Sequence, residues 1–568
     1  MAWYRAAMAG AARMRGQGRY LVSACPAPAP RNTSRVPVVR SLVAALLCAV
    51  GVFWVASTEA NAATCRDQAG NTVPAPPIQN KPGAIPHVQY DGVKHMTFCQ
   101  KVTVTPGQNI IRLRGTDLFP SQPGYITRFD PELVYQDGTV PRVDVVHLHH
   151  AVWVVNHGDG GDPQFAAGEE KTIVQAPKGF GWRSLPSDTW LLNDMLHELT
   201  GVAATVFIVW RIDFVPDTAL PNDCTPFVVG CIHPVETQWM DVSGPGGGVG
   251  ISSPIYPVFN ALRRMGHNGR YTFPDQATGA QRELIGPRQA WTPDHPVTLL
   301  QTAGHLHPGG LSTSMRVRRG TAANRIFRSD AHYYEPAGAV SWDVSMGATP
   351  SNWRVKLRAG DRLSVAATYD VGRADWYEVM GIMPVAVYDG TDVGGQDAMS
   401  DSIPAQEVLT HGHLDENRNH GGDSIGLPDP RTLPGAPTPS DPITINQYAY
   451  EQGDLYAPGA EKNPPKVPFG QSLIFRNLDD PPSGPSRNAY HTITACKAPC
   501  NRSTGIAYPI ANGPVTFDSG QLGFNSGIFN APAVERDTWS TPKNLPTGTY
   551  SYFCRVHPFM RGSFRVVN

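Results

Sequence analysis

The sequence predicts an all-β protein built of several sandwich units, and three observations carry that prediction. First, 56 glycines and 53 prolines among 568 residues punctuate the chain too often for long helices, yet stay below the level that reads as disorder. Second, the stretches between these turn signals have strand character. "TGTYSYFC" (547–554) alternates, with Tyr550, Tyr552 and Cys554 on one face, and "VDVVHLHHAVWVV" (143–155) is a strand-like apolar run. Third, "GGDSIGLPDPRTLPGAPTPSDP" (421–442) is a Pro-rich, nearly featureless linker that separates a large body from a C-terminal unit. A formal charge of −1 with 17% charged residues gives no support to nucleic acid or an acidic macromolecule as partner.

Residues 1–62 form a predicted sorting segment. Arg31, Arg35 and Arg40 precede the apolar run Leu42–Ala56, and "ANA" (60–62) offers a cleavage point. This is the order of a secretory signal. Fifteen apolar residues are short for a membrane span, so no stable membrane insertion is expected after cleavage. The mature chain is expected to be exported, either periplasmic or extracellular.

Export changes the cysteine arithmetic. Seven cysteines remain, and close spacing pairs Cys65 with Cys99, Cys224 with Cys231 and Cys496 with Cys500. Cys554 is left over. A free thiol in an oxidising compartment needs something to hold it, and a metal does so.

The C-terminal stretch "SYFCRVHPFM" (551–560) supplies that metal's other donors, His557 and Met560, beside Cys554. Thiolate, imidazole and a weak thioether are the donors of a type 1 (blue) copper site, which also needs a second histidine. "NAYHTITACKAPC" offers His491 at the head of another strand-like stretch. These residues resemble a cupredoxin over about 441–568, and "CRVHPFM" resembles the short ligand loop of amicyanin. The resemblance implies a Greek-key β-sandwich that carries one electron at a time. Cys554 is flanked by Phe553 and Arg555, where multicopper oxidases and copper nitrite reductases place a histidine to bridge two copper centres.

The body holds no GxGxxG after a strand, no P-loop, no HExxH and no CxxCH. It holds three histidine groupings instead. In the first, period-2 geometry puts His147 and His149 on one strand face and His150 on the other, so His149 and His150 share a metal only at a bulge or strand end. The second is "TWLLNDMLHELTG", with His197. In the third, "TAGHLHPGGLSTSMRVRRG", His305 and His307 at i and i+2 form a chelating pair. Met380 or Met383 of "DWYEVMGIMPVAVYD" is available as a soft third donor, and mixed imidazole and thioether donors favour copper.

Together these stretches resemble the copper-dependent hydroxylases, peptidylglycine α-hydroxylating monooxygenase and dopamine β-monooxygenase, over about 90–390. "VVHLHHAVWV" resembles that family's HH strand, "APKGFGWRS" its PKGxGxR stretch, "GHLHPGGLSTSMRV" its HTHxxG segment and "YEVMG" its methionine region. The resemblance implies two jelly-roll-like β-sandwich domains (63–245 and 246–392), followed by the His-containing loop and linker (393–440) and the cupredoxin (441–568). It also implies two mononuclear type 2 coppers across a solvent gap, beside the single type 1 copper. His149, His150 and His197 would hold the electron-storing copper. His305, His307 and Met380 would hold the catalytic copper that uses O2 to hydroxylate a C–H bond. Electrons would come from the tethered cupredoxin, with or without an external donor. The substrate is a small molecule or peptide. Gly304, with Thr302 and Ala303, stands where bulkier residues suit a peptide carboxylate, which argues against a peptidyl-glycine. The "HxHxGG … VMG" pattern is also similar to plant stress-up-regulated nodulin-like proteins. The competing reading is a non-catalytic exported copper-binding or electron-transfer protein whose body is a scaffold or copper store. His411, His413 and His420, beside Asp415 and Glu416, form a further polar cluster.

Overall fold

Side chains of the strands are buried on one or both faces according to what covers each sheet. A computed structural model describes residues 63–568 except 79–83, 106–110, 144, 159, 201, 223, 225–229, 246–258, 264, 267–268, 279–288, 335–338, 340–341, 411–426, 485–488, 497–514 and 525–535. The signal segment and the cluster of His411, His413 and His420 lie outside the described residues. The protein is all-β, and among the described residues the one helical element is the 3-10 turn Asp217–Ala219. Among the described residues no helix is long and apolar enough to cross a membrane.

The long strand Ala204–Pro216 (ATVFIVWRIDFVP) is dominated by β-branched and aromatic residues. It pairs antiparallel with Lys94–Val104 on one side and Gly124–Val134 on the other, which is where such residues pack best. This sheet faces a four-stranded one ordered Arg112–Thr116, Thr189–Glu198, Val146–Asn156 and Gly161–Ala167. Between them lies an aromatic core in which Phe129 meets Trp153 at 4.7 Å and stacks on Phe165 at 4.3 Å.

The first sheet does not stop at the expected boundary near 245. His233–Gln238 pairs with Val385–Tyr388, with Glu236 opposite Val387, and the sheet continues into Val297–Thr302 and Val355–Leu357. The two halves of the body are thus hydrogen-bonded into one eleven-stranded sheet. A six-stranded sheet (Arg270–Phe273, Arg362–Asp370, Gly310–Arg319, Ala322–Tyr333, Val344–Ala348, Val408–Leu409) completes the second half.

The C-terminal unit is built of two four-stranded sheets. One contains Ile443–Asn446 and Ile474–Asn477, the other Gly548–Phe553 and Arg561–Val567. Tyr450, Phe475, Tyr552 and Phe564 fill the space between them. The Pro-rich linker is not a free tether over its described part. Ala436 bridges to Pro465, and Arg565 Nη2 donates to the carbonyls of Pro430 and Leu433 at 3.0 Å each. Proline-rich chain leaves its carbonyls unpaired, and the arginine satisfies two of them. The expected disulfides Cys65–Cys99 and Cys224–Cys231 are formed. Cys496 is also disulfide-bonded, while Cys500 lies outside the described residues. Among the described residues Cys554 alone is free.

Candidate metal centres

The strand Gly548–Phe553 pairs with Thr494–Cys496, with Thr494 opposite Phe553, so Cys554 emerges beside the strand start that carries His491. Cys554 N then donates to Met560 O at 3.1 Å, and Met560 N to His557 O at 2.9 Å. These bonds close 554–560 into a tight loop. They bring His557 Nδ1 to 3.7 Å from the Cys554 sulfur, with His491 Nδ1 3.8 Å from that sulfur and 3.0 Å from His557 Nδ1. All three side chains and Met560 are buried. Burial works against a thiolate at Cys554, but hydrogen bonds from His491 and His557 overcome it and hold the thiol well below its usual range. At His491 the opposition of burial is overcome by the Asp479 carboxylate at 3.0 Å and by Cys554, which lift the imidazole to about 9. Asp479 holds Nε2 and leaves Nδ1 facing the sulfur, the arrangement by which an outer carboxylate orients a ligand histidine. Two imidazole nitrogens and a thiolate at this spacing fit a trigonal type 1 copper set.

In the body, the ladder between Val146–Asn156 and Thr189–Glu198 shifts register between Leu148 and His150. That is the bulge on which joint use of His149 and His150 depends, and the two Nδ1 atoms lie 3.3 Å apart. The groupings nevertheless differ from those the hydroxylase resemblance implies. His149 packs against His307 at 4.2 Å and His197 at 4.7 Å between ring centroids, and His147 against His197 at 4.8 Å. No solvent gap separates the first and third motifs. His149, His197 and His307 line one cavity of about 60 Å3, while His150 and His305 line another of about 50 Å3 with Glu170 and Trp239.

Two local causes redistribute the rings. The bulge turns the adjacent His149 and His150 so that each lines a different cavity while their Nδ1 atoms stay 3.3 Å apart. A turn after Leu306, closed by Gly310 N donating to His307 O at 2.9 Å, ends the short strand His305–Leu306 and sets the rings of His305 and His307 edge to face at 5.1 Å. Met380 packs with Val152, Val154, Trp239 and Ile382 and lines neither cavity. Met380 therefore stands apart from His305 and His307, whereas His149 stays beside both of its expected partners, with His150 Nδ1 at 3.3 Å and the His197 ring centroid at 4.7 Å. Met383 is buried in the main core.

All six histidines of the three groupings (His147, His149, His150, His197, His305 and His307) are buried. Burial depresses His147 and His149 far below the usual imidazole range and brings His150 and His197 down to about 3. They are neutral at physiological pH, as metal ligands must be. Both ring nitrogens of His197, and Nε2 of His147 and of His305, are buried without a hydrogen-bond partner among the described residues. An orphaned buried imidazole nitrogen is costly unless an ion or water takes it, so these residues suit a metal. Their convergence is looser than at the C-terminal site. Among the described residues, donor atoms all within 4.8 Å of one another occur at His491, Cys554 and His557 and at one further group, His87, His95 and Asp213.

The first cavity has a second wall from the C-terminal unit: Tyr490, Thr492, Arg555 and Val556 face His149, His197 and His307. Arg555, next after Cys554 in the chain, lies with its guanidinium 4.5 Å from the Trp376 ring centroid and 5.6 Å from that of Tyr377. It also meets Asp518 at 3.5 Å. Burial pushes that carboxyl up to about 6. Tyr456 OH donates to Thr200 O at 2.7 Å and Val515 N to Arg373 O at 3.0 Å, fastening the C-terminal unit to the body at two further points.

Several supporting residues escape a motif search. "GEEK" (168–171) is three charges in a row in a lightly charged chain, and the structure buries all of them. Glu170 Oε1 takes His305 Nδ1 at 3.0 Å, and Lys171 lies 2.9 Å from Glu169 and 3.0 Å from Glu132. A Cβ at Gly168 would come within 2.5 Å of both Glu170 and His305, so only glycine lets that pair close. Asn193 Oδ1 meets His150 Nε2 at 3.1 Å, and Trp342 stacks on His147 at 4.3 Å. At Gly304 a Cβ would lie 2.4 Å from Thr313 Oγ1, so the residue before His305 is small because the sheet behind it is full.

No family model matches the sequence, and no curated protein matches it. Among solved structures, a purple cupredoxin from Nitrosopumilus maritimus is similar at 21% identity, covering 18% of this chain and 75% of its own, with a TM-score of 0.11. A copper-containing nitrite reductase from Thermus scotoductus is similar at 15% identity over 48% of this chain, with a TM-score of 0.14. This chain spans 55% of that enzyme's length. Likeness this slight decides nothing about the chemistry, which rests on the donor sets themselves.

Proposed function

We propose that this is an exported copper-dependent oxidoreductase in which a type 1 site at His491, Cys554, His557 and Met560 delivers electrons to a small oxidant in the cavity of His149, His197 and His307. One observation carries the reading: Arg555 and Val556, the residues that follow the ligand cysteine, form the wall opposite those three histidines. Copper held by the first set would supply one-electron storage, and copper held by the second would supply a redox-active, Lewis-acidic place for the oxidant. The chain does the rest. Asp479 orients His491, the 554–560 loop keeps the thiolate out of water, and burial keeps His149 and His197 neutral. Export is part of the same reading and is supported by the two disulfides.

Cavity size narrows the oxidant. About 60 Å3 is well below the roughly 150 Å3 that accommodates benzene, and suits two or three heavy atoms, as in dioxygen or nitrite. C–H hydroxylation adds an organic substrate. It is supported by the motif resemblance and requires that substrate to reach the cavity lined by Trp342 and Trp376.

The test is stopped-flow reoxidation of the reduced, copper-loaded protein by dioxygen or nitrite, read as the return of the blue absorbance. We expect His149→Ala and His307→Ala to keep the type 1 copper and to slow the return by about 100-fold or more. Equal rates in wild type and both variants would sink the reading.

A further inference from the structure

Far from the buried histidines in sequence, His95 on the strand Lys94–Val104 stands directly opposite Asp213 on Ala204–Pro216. His87 reaches the same carboxylate from the preceding loop. His87 Nδ1 lies 2.6 Å from one carboxylate oxygen of Asp213 and His95 Nδ1 2.7 Å from the other. The two rings stand 5.3 Å apart and nearly perpendicular. Asp213 is 4% exposed at its side chain, whereas His87 and His95 are 46% and 62% exposed. The loop that brings His87 is fixed: Ile85 N donates to Thr410 O at 2.9 Å, Arg128 Nη1 to Ile85 O at 3.1 Å, and Gln175 Nε2 to Pro86 O at 3.0 Å.

We infer that His87, His95 and Asp213 form a surface site for a divalent transition metal, independent of the copper sites proposed above. The three donor atoms lie within 4.8 Å of one another, a span that an ion bonded at about 2.0–2.2 Å to each closes with small side-chain adjustments. Two imidazoles and one carboxylate select zinc or copper over calcium and magnesium, which take oxygen donors. A buried carboxylate between two partly exposed rings leaves the ion's remaining positions on the solvent side, open to water or an exogenous ligand. The pinned loop means that binding orders little of the chain, so little affinity is lost to entropy.

The experiment is Zn2+ titration by calorimetry into the copper-loaded mature chain after a brief chelator wash that strips copper from exposed sites and leaves the buried ones filled. Wild type takes up one Zn2+ at this site. His87→Gln and His95→Gln each bind it at least about tenfold more weakly while keeping the wild-type thermal midpoint, because both side chains are substantially exposed. Failure of wild type to take up Zn2+, or equal uptake and affinity in wild type and both variants, would overturn the site and leave the cluster a hydrogen-bonded clamp.

Discussion

The C-terminal donor set and the body histidines show two ways of assembling soft ligands. Cys554, His557 and Met560 are held by one seven-residue loop, and a single strand pairing adds His491. The body set is collected from three distant segments, and its partition depends on a bulge at 148–150 and a turn at 307–310. A local set is closed by its own backbone and converges tightly. A dispersed set takes its shape from sheet register, so one irregularity reassigns neighbouring rings to different cavities.

The largest effect expected on this contrast is at the local set. Cys554→Ser removes the thiolate of this set and should abolish the blue absorbance and type 1 paramagnetic signal completely, while body copper, counted by metal analysis, stays. Loss of body copper as well would mean that the two sets are not separate.

A smaller change probes the dispersed set through its support. Glu170→Gln keeps the shape but withdraws the carboxylate from His305 Nδ1. Outer-shell changes of this kind cost about 10–100-fold in metal affinity. Equilibrium dialysis should show that loss at a body copper, with the type 1 site unaffected.

Acid sharpens the comparison least abruptly. His150 and His197 sit near 3 in the folded protein, against about 6.5 in an unfolded chain. Between these values the unfolded chain binds protons that the folded one refuses, so stability is present above 6.5 and is lost as pH falls. Each histidine contributes a slope of about 1.4 kcal/mol per pH unit, with His147 and His149 acting in the same direction. Urea unfolding of the metal-free protein at pH 7 and pH 5 measures it, and a flat response would mean that water already reaches these rings.

The same contrast explains what the sequence could disclose. Spacing at 554, 557 and 560 and the odd cysteine made the convergence of Cys554, His557 and Met560 legible, because a loop of fixed length constrains its own ends. The all-β class was legible from turn signals and alternation. The sheet that runs through both halves of the body was not, since nothing in "HPVETQ" (233–238) says that its partner is "VAVY" (385–388). Nor does HxH spacing reveal that its strand ends after Leu306, sending His307 to His149. Glu170, Asn193 and Asp479 act on ring nitrogens from other strands or loops, and such contacts exist only once the chain has folded.

The tie from Tyr456 to Thr200 has a kinetic meaning. Under the electron transfer proposed above, a donor module so fastened beside its acceptor would not need to diffuse, collide or dock between turnovers. Electron delivery would then be a first-order event whose rate does not change when the protein is diluted, and soluble competitors for the electron would be outpaced by proximity alone.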